Sequence, residues 1–181
     1  MKTQHAVVSE AKSLTNPTPS ILKDVTTLLL KVVAIIAASA LLLVTVFGIH
    51  READTSMAPA IKDGDLVIYY RLDTTYALLD TVVLDFEGKR QVRRVVATEG
   101  DTVDITEDGL IVNGAAQQER HIFEDTTQFE GGVSLPLTLG KGEIFVLGDA
   151  RESATDSRLY GVVKTADTHG KVMGILRRRG I

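Results

Sequence analysis

At 181 residues the chain has the length of one domain plus an appendage, and 44% hydrophobic content suits a folded core. It contains no cysteine, which excludes disulfides, thiolate metal sites and a cysteine nucleophile. The net charge of −4 is uneven: through Lys31 four lysines face Glu10 and Asp24, whereas from Arg51 onward 16 basic residues face 22 acidic ones, which excludes nucleic acid as a partner of the larger part.

The first 26 residues are polar and punctuated by Pro17 and Pro19, as expected of a cytoplasmic tail. A charge-free apolar run follows from Val32 to Ile49, extended backwards past Lys31 by Leu28 to Leu30. Eighteen helical residues rise about 27 Å, so 27–49 is expected to be a single transmembrane helix in the lipid bilayer, with Lys31 snorkelling to the interface. The run is too long for a cleaved signal peptide, and no good small-x-small site follows it. A domain of this size can hardly bury it on all sides. The lysines before it place the N-terminus inside and residues 50–181 outside the cytoplasmic membrane.

Beyond His50 the pattern changes to short β-branched and aromatic runs bounded by Gly, Asp or Asn. Strands are expected at 65–72, 81–86, 91–98, 101–106, 109–114, 143–148, 159–163 and 170–178, with no further helix. The fold class is mainly β: one N-terminal helix, then an antiparallel, partly closed β-domain. Residues at about 101–142 include an irregular, polar stretch with Gly131-Gly132 and Pro136, expected to be a small inserted β subdomain.

Three clusters can carry chemistry. Ser56 and Met57 stand just beyond the apolar run, with Pro59 fixing the local backbone. A lone serine there is ordinarily structural. Arg93 and Arg94 fall on opposite faces of one strand, because strand side chains alternate. An inward arginine there is either a carboxylate's partner or an electrostatic stabiliser, and a guanidinium does not take a serine proton near neutral pH. The stretch from Leu147 to Gly161 is dense in Asp149, Arg151, Asp156, Ser157 and Arg158, which can pair and fix a loop. His50, His121 and His169 are isolated, no metal-ligand spacing occurs and no phosphate-cradling glycine motif is present, so no metal or cofactor is expected. The arginines near the C-terminus are either a solvated tail or a contact for anionic headgroups.

The order of these features resembles bacterial type I signal peptidase: an anchor, Ser-Met-x-Pro, Gly-Asp, a strand with a basic pair and Gly-Asp after it, then Gly-Asp-x-Arg and Asp-Ser-Arg-x-x-Gly. The resemblance implies a membrane-anchored serine endopeptidase with a Ser–Lys dyad that cuts secretory preproteins after a small-x-small motif. Carried over by position, Ser56 matches the nucleophile and Met57, Pro59 and Gly64-Asp65 its surroundings. Arg94, Gly100 and Asp101 match the box around the base, and Asp149, Arg151, Asp156, Ser157 and Arg158 the supporting late box. An apolar peptide groove is expected near Ser56.

The departures concern the base. Arg93 stands at the lysine position. Asp54, two before the nucleophile, places a carboxylate where the resemblance implies a small or hydroxyl-bearing residue near the oxyanion hole. Ala150 stands where asparagine is common, and Ala154 where a serine normally orients the lysine amine. Three functions are therefore open: a working signal peptidase with an altered base, an impaired, Gram-positive, pilus-associated relative, or an exterior β-module with no peptide role. The second would bind secretory preproteins or pilin precursors as an accessory factor beside a sortase.

Overall fold

The computed structural model describes residues 21–177; the expected tail through residue 20 and the arginines beyond Arg177 lie outside the described residues. One helix, α1 (Ile21–Val46), precedes the strands. It is 26 residues long, reaches a mean hydropathy of 2.6 over 18 residues and buries none of its side chains. At 1.5 Å per residue it is long enough to cross a bilayer, consistent with a single-pass membrane protein. The helix starts six residues before the expected span and stops at Val46. The next three apolar residues belong instead to a strand, because the Arg71 N–H donates to the Val46 carbonyl at 2.9 Å and its Nε to the Phe47 carbonyl at 3.2 Å.

The remainder is β-rich. In chain order the strands are β1 (Phe47–Arg51), β2 (Leu66–Tyr70), β3 (Thr81–Phe86), β4 (Lys89–Ala97), β5 (Thr102–Thr106) and β6 (Gly109–Val112), then β7 (Ala115–Ala116), β8 (Leu137–Thr138), β9 (Glu143–Leu147), β10 (Val163–Lys164) and β11 (Thr168–Leu176). Seven form an antiparallel sheet in the order β1-β2-β11-β3-β4-β9-β10, and four form a second sheet in the order β7-β6-β5-β8. The early strands β1 and β2 are thus joined to the middle of the chain by the last strand, β11. Alternation divides the large sheet's apolar residues between its faces: Val83 packs with Met57, Ile61, Val67, Tyr69 and Val92, whereas Val82 and Leu84 pack with Tyr76, Val95, Ile144 and Val146. A third cluster, including Val96, Val103, Ile105, Leu110 and Phe145, ties the small sheet to β4 and β9.

One expected strand is corrected. Leu159 and Tyr160 belong to a one-turn helix, α2 (Ser157–Tyr160), and only Val163–Lys164 continue as a strand. The cause is local: the Asp156 carboxylate accepts the Arg158 N–H at 3.1 Å and caps the turn, and Gly161 ends it at positive φ.

Candidate active site

Ser56 sits in the turn that follows β1, and the chain around it is fixed from two sides. Met57, fully buried, and Ile61 anchor the turn in the sheet's core. The loop after β9 closes on it: the Ala150 N–H donates to the Ser56 carbonyl at 2.9 Å. Gly148 permits that approach, since a Cβ there would stand 2.7 Å from the Ser56 carbonyl oxygen and 2.2 Å from the Ala154 Cβ. Ser56 is itself buried, while Pro59 is exposed.

The late-box residues form the frame of that loop. Asp149 takes a bidentate pair from Arg94 at 2.7 and 2.6 Å, and this pairing holds the Arg94 guanidinium's pKa above its usual value. Asp156 takes a second bidentate pair from Arg158, 2.9 Å at each oxygen, and also accepts the Gly148 N–H. The Ser157 hydroxyl oxygen accepts the Val146 N–H at 3.0 Å. Arg151 is fully buried; it donates to the Gly148 carbonyl and, bidentately, to Glu119 at 2.7 and 2.6 Å. Buried ion pairs of this geometry fix a conformation more than they add stability. The loop that grips Ser56 is thereby locked to β4, to α2 and to the segment around Glu119.

Arg93 and Arg94 diverge, as alternation requires. Arg93 is 1% exposed and donates from Nε to the Thr155 carbonyl at 2.9 Å and from Nη1 to the Val92 carbonyl at 2.5 Å. Among the described residues no hydrogen bond or ion pair joins it to Ser56, Asp54 or Asp156; it acts on Asp54 through its charge.

The Asp54 carboxylate faces the Ser56 main chain: its Oδ1 accepts the Ser56 N–H at 2.8 Å. Burial raises the Asp54 pKa, but the hydrogen bonds from Ser56 and the charge of Arg93 outweigh it, and the group is held below its usual value. Two residues earlier, Glu52 is 1% exposed, and the Asp54 charge acts on it. Its Oε2 receives no protein donor, and Nε2 of half-buried His50, also without a hydrogen-bond partner, lies 3.8 Å away. Burial first, then the Asp54 charge, raises the Glu52 carboxyl to about 7. His50 is pushed the other way by burial and by Arg90.

Glu52 was not among the residues singled out by sequence. A partial signal was available in the spacing: His50, in β1, and Glu52, just past its end, are two residues apart and fall on one side of an extended chain. A cavity of about 460 Å³ is lined by Ala60, in the same turn as Ser56, by Leu78, Leu79, Val96 and Leu110, by Arg94, and by residues 117–122. No group of three potential metal ligands occurs among the described residues.

Residues 25–176 match the family described as signal peptidase, peptidase S26. Signal peptidase I of Bacillus licheniformis is 31% identical over 162 residues, covering 83% of this chain and 84% of that protein. Signal peptidase IB of Staphylococcus aureus is 31% identical over 148 residues, with 72% and 76% covered. A crystal structure of a signal peptidase I from Enterococcus faecalis is 29% identical, superposes with a TM-score of 0.47 and covers 55% of this chain and 97% of that one.

Proposed function

The chain belongs to the signal peptidase family, peptidase S26, and on that premise we propose that it is a membrane-anchored serine endopeptidase. It cleaves secretory preproteins at the outer face of the cytoplasmic membrane, with Ser56 as nucleophile and with a base other than an amine. The N-terminus is inside and the β-domain outside, in keeping with the lysines before α1. The observation that carries the reading is the placement of Ser56: its carbonyl is gripped by the Ala150 N–H at 2.9 Å and its own N–H donates to the Asp54 carboxylate at 2.8 Å, which fixes the serine at the position the family's nucleophile occupies. Arg93 does not enter as a base, since its Nε is committed to the Thr155 carbonyl and a guanidinium does not surrender its proton.

The test is cleavage of a preprotein carrying a small-x-small site by the full-length protein in detergent between pH 5 and 9. Cleavage is expected from the wild type and not from Ser56→Ala. No Ser56-dependent cleavage at any pH would overturn this reading. The buried Arg93 in the lysine position favours a second one: a non-cleaving accessory that binds preproteins or pilin precursors by strand addition, beside a sortase. Retained binding of the same preprotein by a wild type that does not cut supports that second reading.

A further inference from the structure

We infer that the Asp54 carboxylate is the resident occupant of the oxyanion site: its Oδ1 holds the Ser56 N–H and must leave before a scissile carbonyl can be activated there. The inference deepens the proposed endopeptidase and rests on that reading. It makes Asp54 a residue that sets the rate through the Ser56 amide.

A serine nucleophile that attacks a carbonyl generates a negative oxygen, and its own main-chain N–H is one of the donors that oxygen uses. Such a donor works when it stands about 2.7–3.1 Å from the position the oxyanion will take. The oxygen already at that distance is Asp54 Oδ1, a carboxylate oxygen 2.8 Å from the Ser56 nitrogen. In charge and distance it copies the oxyanion, and two negative oxygens cannot share one N–H. A small residue at position 54 would leave the donor free.

The main chain aims this donor without help from Asp54. The Thr55 carbonyl, in the same peptide unit as the Ser56 N–H, accepts the Ala58 N–H at 2.9 Å, and the Ser56 carbonyl accepts the Ala150 N–H at 2.9 Å. The neighbouring Gly148 N–H is committed to Asp156, which is fully buried and paired with Arg158. Asp54 differs from Asp156 in being exposed, so its carboxylate can turn to water without stranding a buried charge. Displacement is an exchange of acceptors: the bond from the Ser56 N–H to Oδ1 breaks, and the N–H takes the carbonyl oxygen. No proton or electron pair moves in that exchange. The new bond strengthens as charge develops on the carbonyl oxygen, so the cost of removing Asp54 falls on the transition state rather than on substrate binding.

The test is cleavage of a preprotein carrying a small-x-small site by the full-length protein in detergent at pH 8. Wild type, Asp54→Ala, Asp54→Asn and Asp63→Ala are compared, each with and without Ser56→Ala. Asp54→Ala empties the site, so kcat should rise about 10- to 100-fold while KM changes by less than about twofold. Asp54→Asn keeps an oxygen on the Ser56 N–H without the charge, and should gain less, about 3- to 10-fold. It also keeps the local turn, so it reports even where Asp54→Ala does not fold. Asp63→Ala removes an exposed acid from the next turn and should leave kcat unchanged. If Ser56-dependent kcat rises in neither Asp54 variant, or rises as much in Asp63→Ala, the inference is overturned and the endopeptidase stands. A wild type that does not cleave beside an Asp54→Ala that does, with Ser56 required, supports the inference and overturns cleavage as the natural activity. If no variant shows Ser56-dependent cleavage at any pH from 5 to 9, both fall.

Discussion

The buried Glu52 carboxyl makes a prediction about folding that needs no substrate. An acid whose pKa is raised by folding binds its proton more tightly in the native state than in the unfolded chain. Unfolding then releases that proton at any pH between the two values, so stability falls as pH rises from about 4.5 towards about 7 and is level above. At about 1.4 kcal/mol per pH unit the upper figure is about 3 kcal/mol, and solvent screening brings it to about 2 kcal/mol. Glu52→Gln removes the titrating group and keeps its shape. Urea unfolding of full-length wild type and Glu52→Gln in the same detergent, from pH 4.5 to 8, isolates the effect as the difference between two curves. The variant should gain on the wild type by about 2 kcal/mol across that interval. A difference independent of pH would refute the reasoning, because Glu52 would then ionise alike in both states.

Two further outcomes follow from the frame around Ser56. Glu119→Ala leaves the fully buried Arg151 without its carboxylate, which should destabilise the protein by about 3 kcal/mol in urea unfolding and quicken limited proteolysis between residues 117 and 130; unchanged values would mean the pair does not hold that segment. Gly148→Ala inserts a methyl 2.2 Å from the Ala154 Cβ and 2.7 Å from the Ser56 carbonyl oxygen. A cost of about 1–3 kcal/mol is expected, with a parallel loss of cleavage, because the loop must retreat from Ser56; a stable, active variant would show that the close approach is dispensable.

What could be read without the structure was what repeats along the chain. A long apolar run and short strand runs between glycines carry their periodicity in the letters, so the helix and the β-rich class were legible, as were β3 to the residue and β9 to within one. The end of α1 was not, since Phe47 to Ile49 are as apolar as the helix before them. Only their pairing with 68–70, a contact across some 20 residues, makes them a strand. The turn of α2 had a readable sign in Asp156, a residue type favoured at helix N-termini, but four residues carry no periodicity against the strand-like letters of Leu159 to Val163. In the site, the late-box pairs were expected as a group; which acid takes which arginine depended on the approach of β4 to the loop after β9. Glu52 was missed because a single glutamate in a polar stretch reads as solvated, whereas its main chain pairs with Gly64 and Asp65 across the turn and its side chain is buried, neither of which the letters show.

The same burial bears on why the arginine and the two acids occur in one chain. Arg93 is 1% exposed, and its two hydrogen-bond acceptors are the main-chain carbonyls of Thr155 and Val92, which are dipoles rather than charges. A guanidinium in that position needs negative charge close by, since an uncompensated buried ion is strongly destabilising. Glu52 and Asp54 are the acids on which its field acts, lowering the proton affinity of both. Reversion of Arg93 to lysine alone would therefore not recreate an amine dyad. The ammonium would face two carboxyls that favour its charged form, which opposes the loss of the proton an amine base must shed. Restoring an amine base requires replacement of Asp54 and Glu52 together with Arg93, and the triple substitution should cleave where Arg93→Lys alone does not gain. If Arg93→Lys by itself raises Ser56-dependent turnover above the wild type, the two carboxyls do not govern the charge at that position and the coupling drawn between the three residues is wrong.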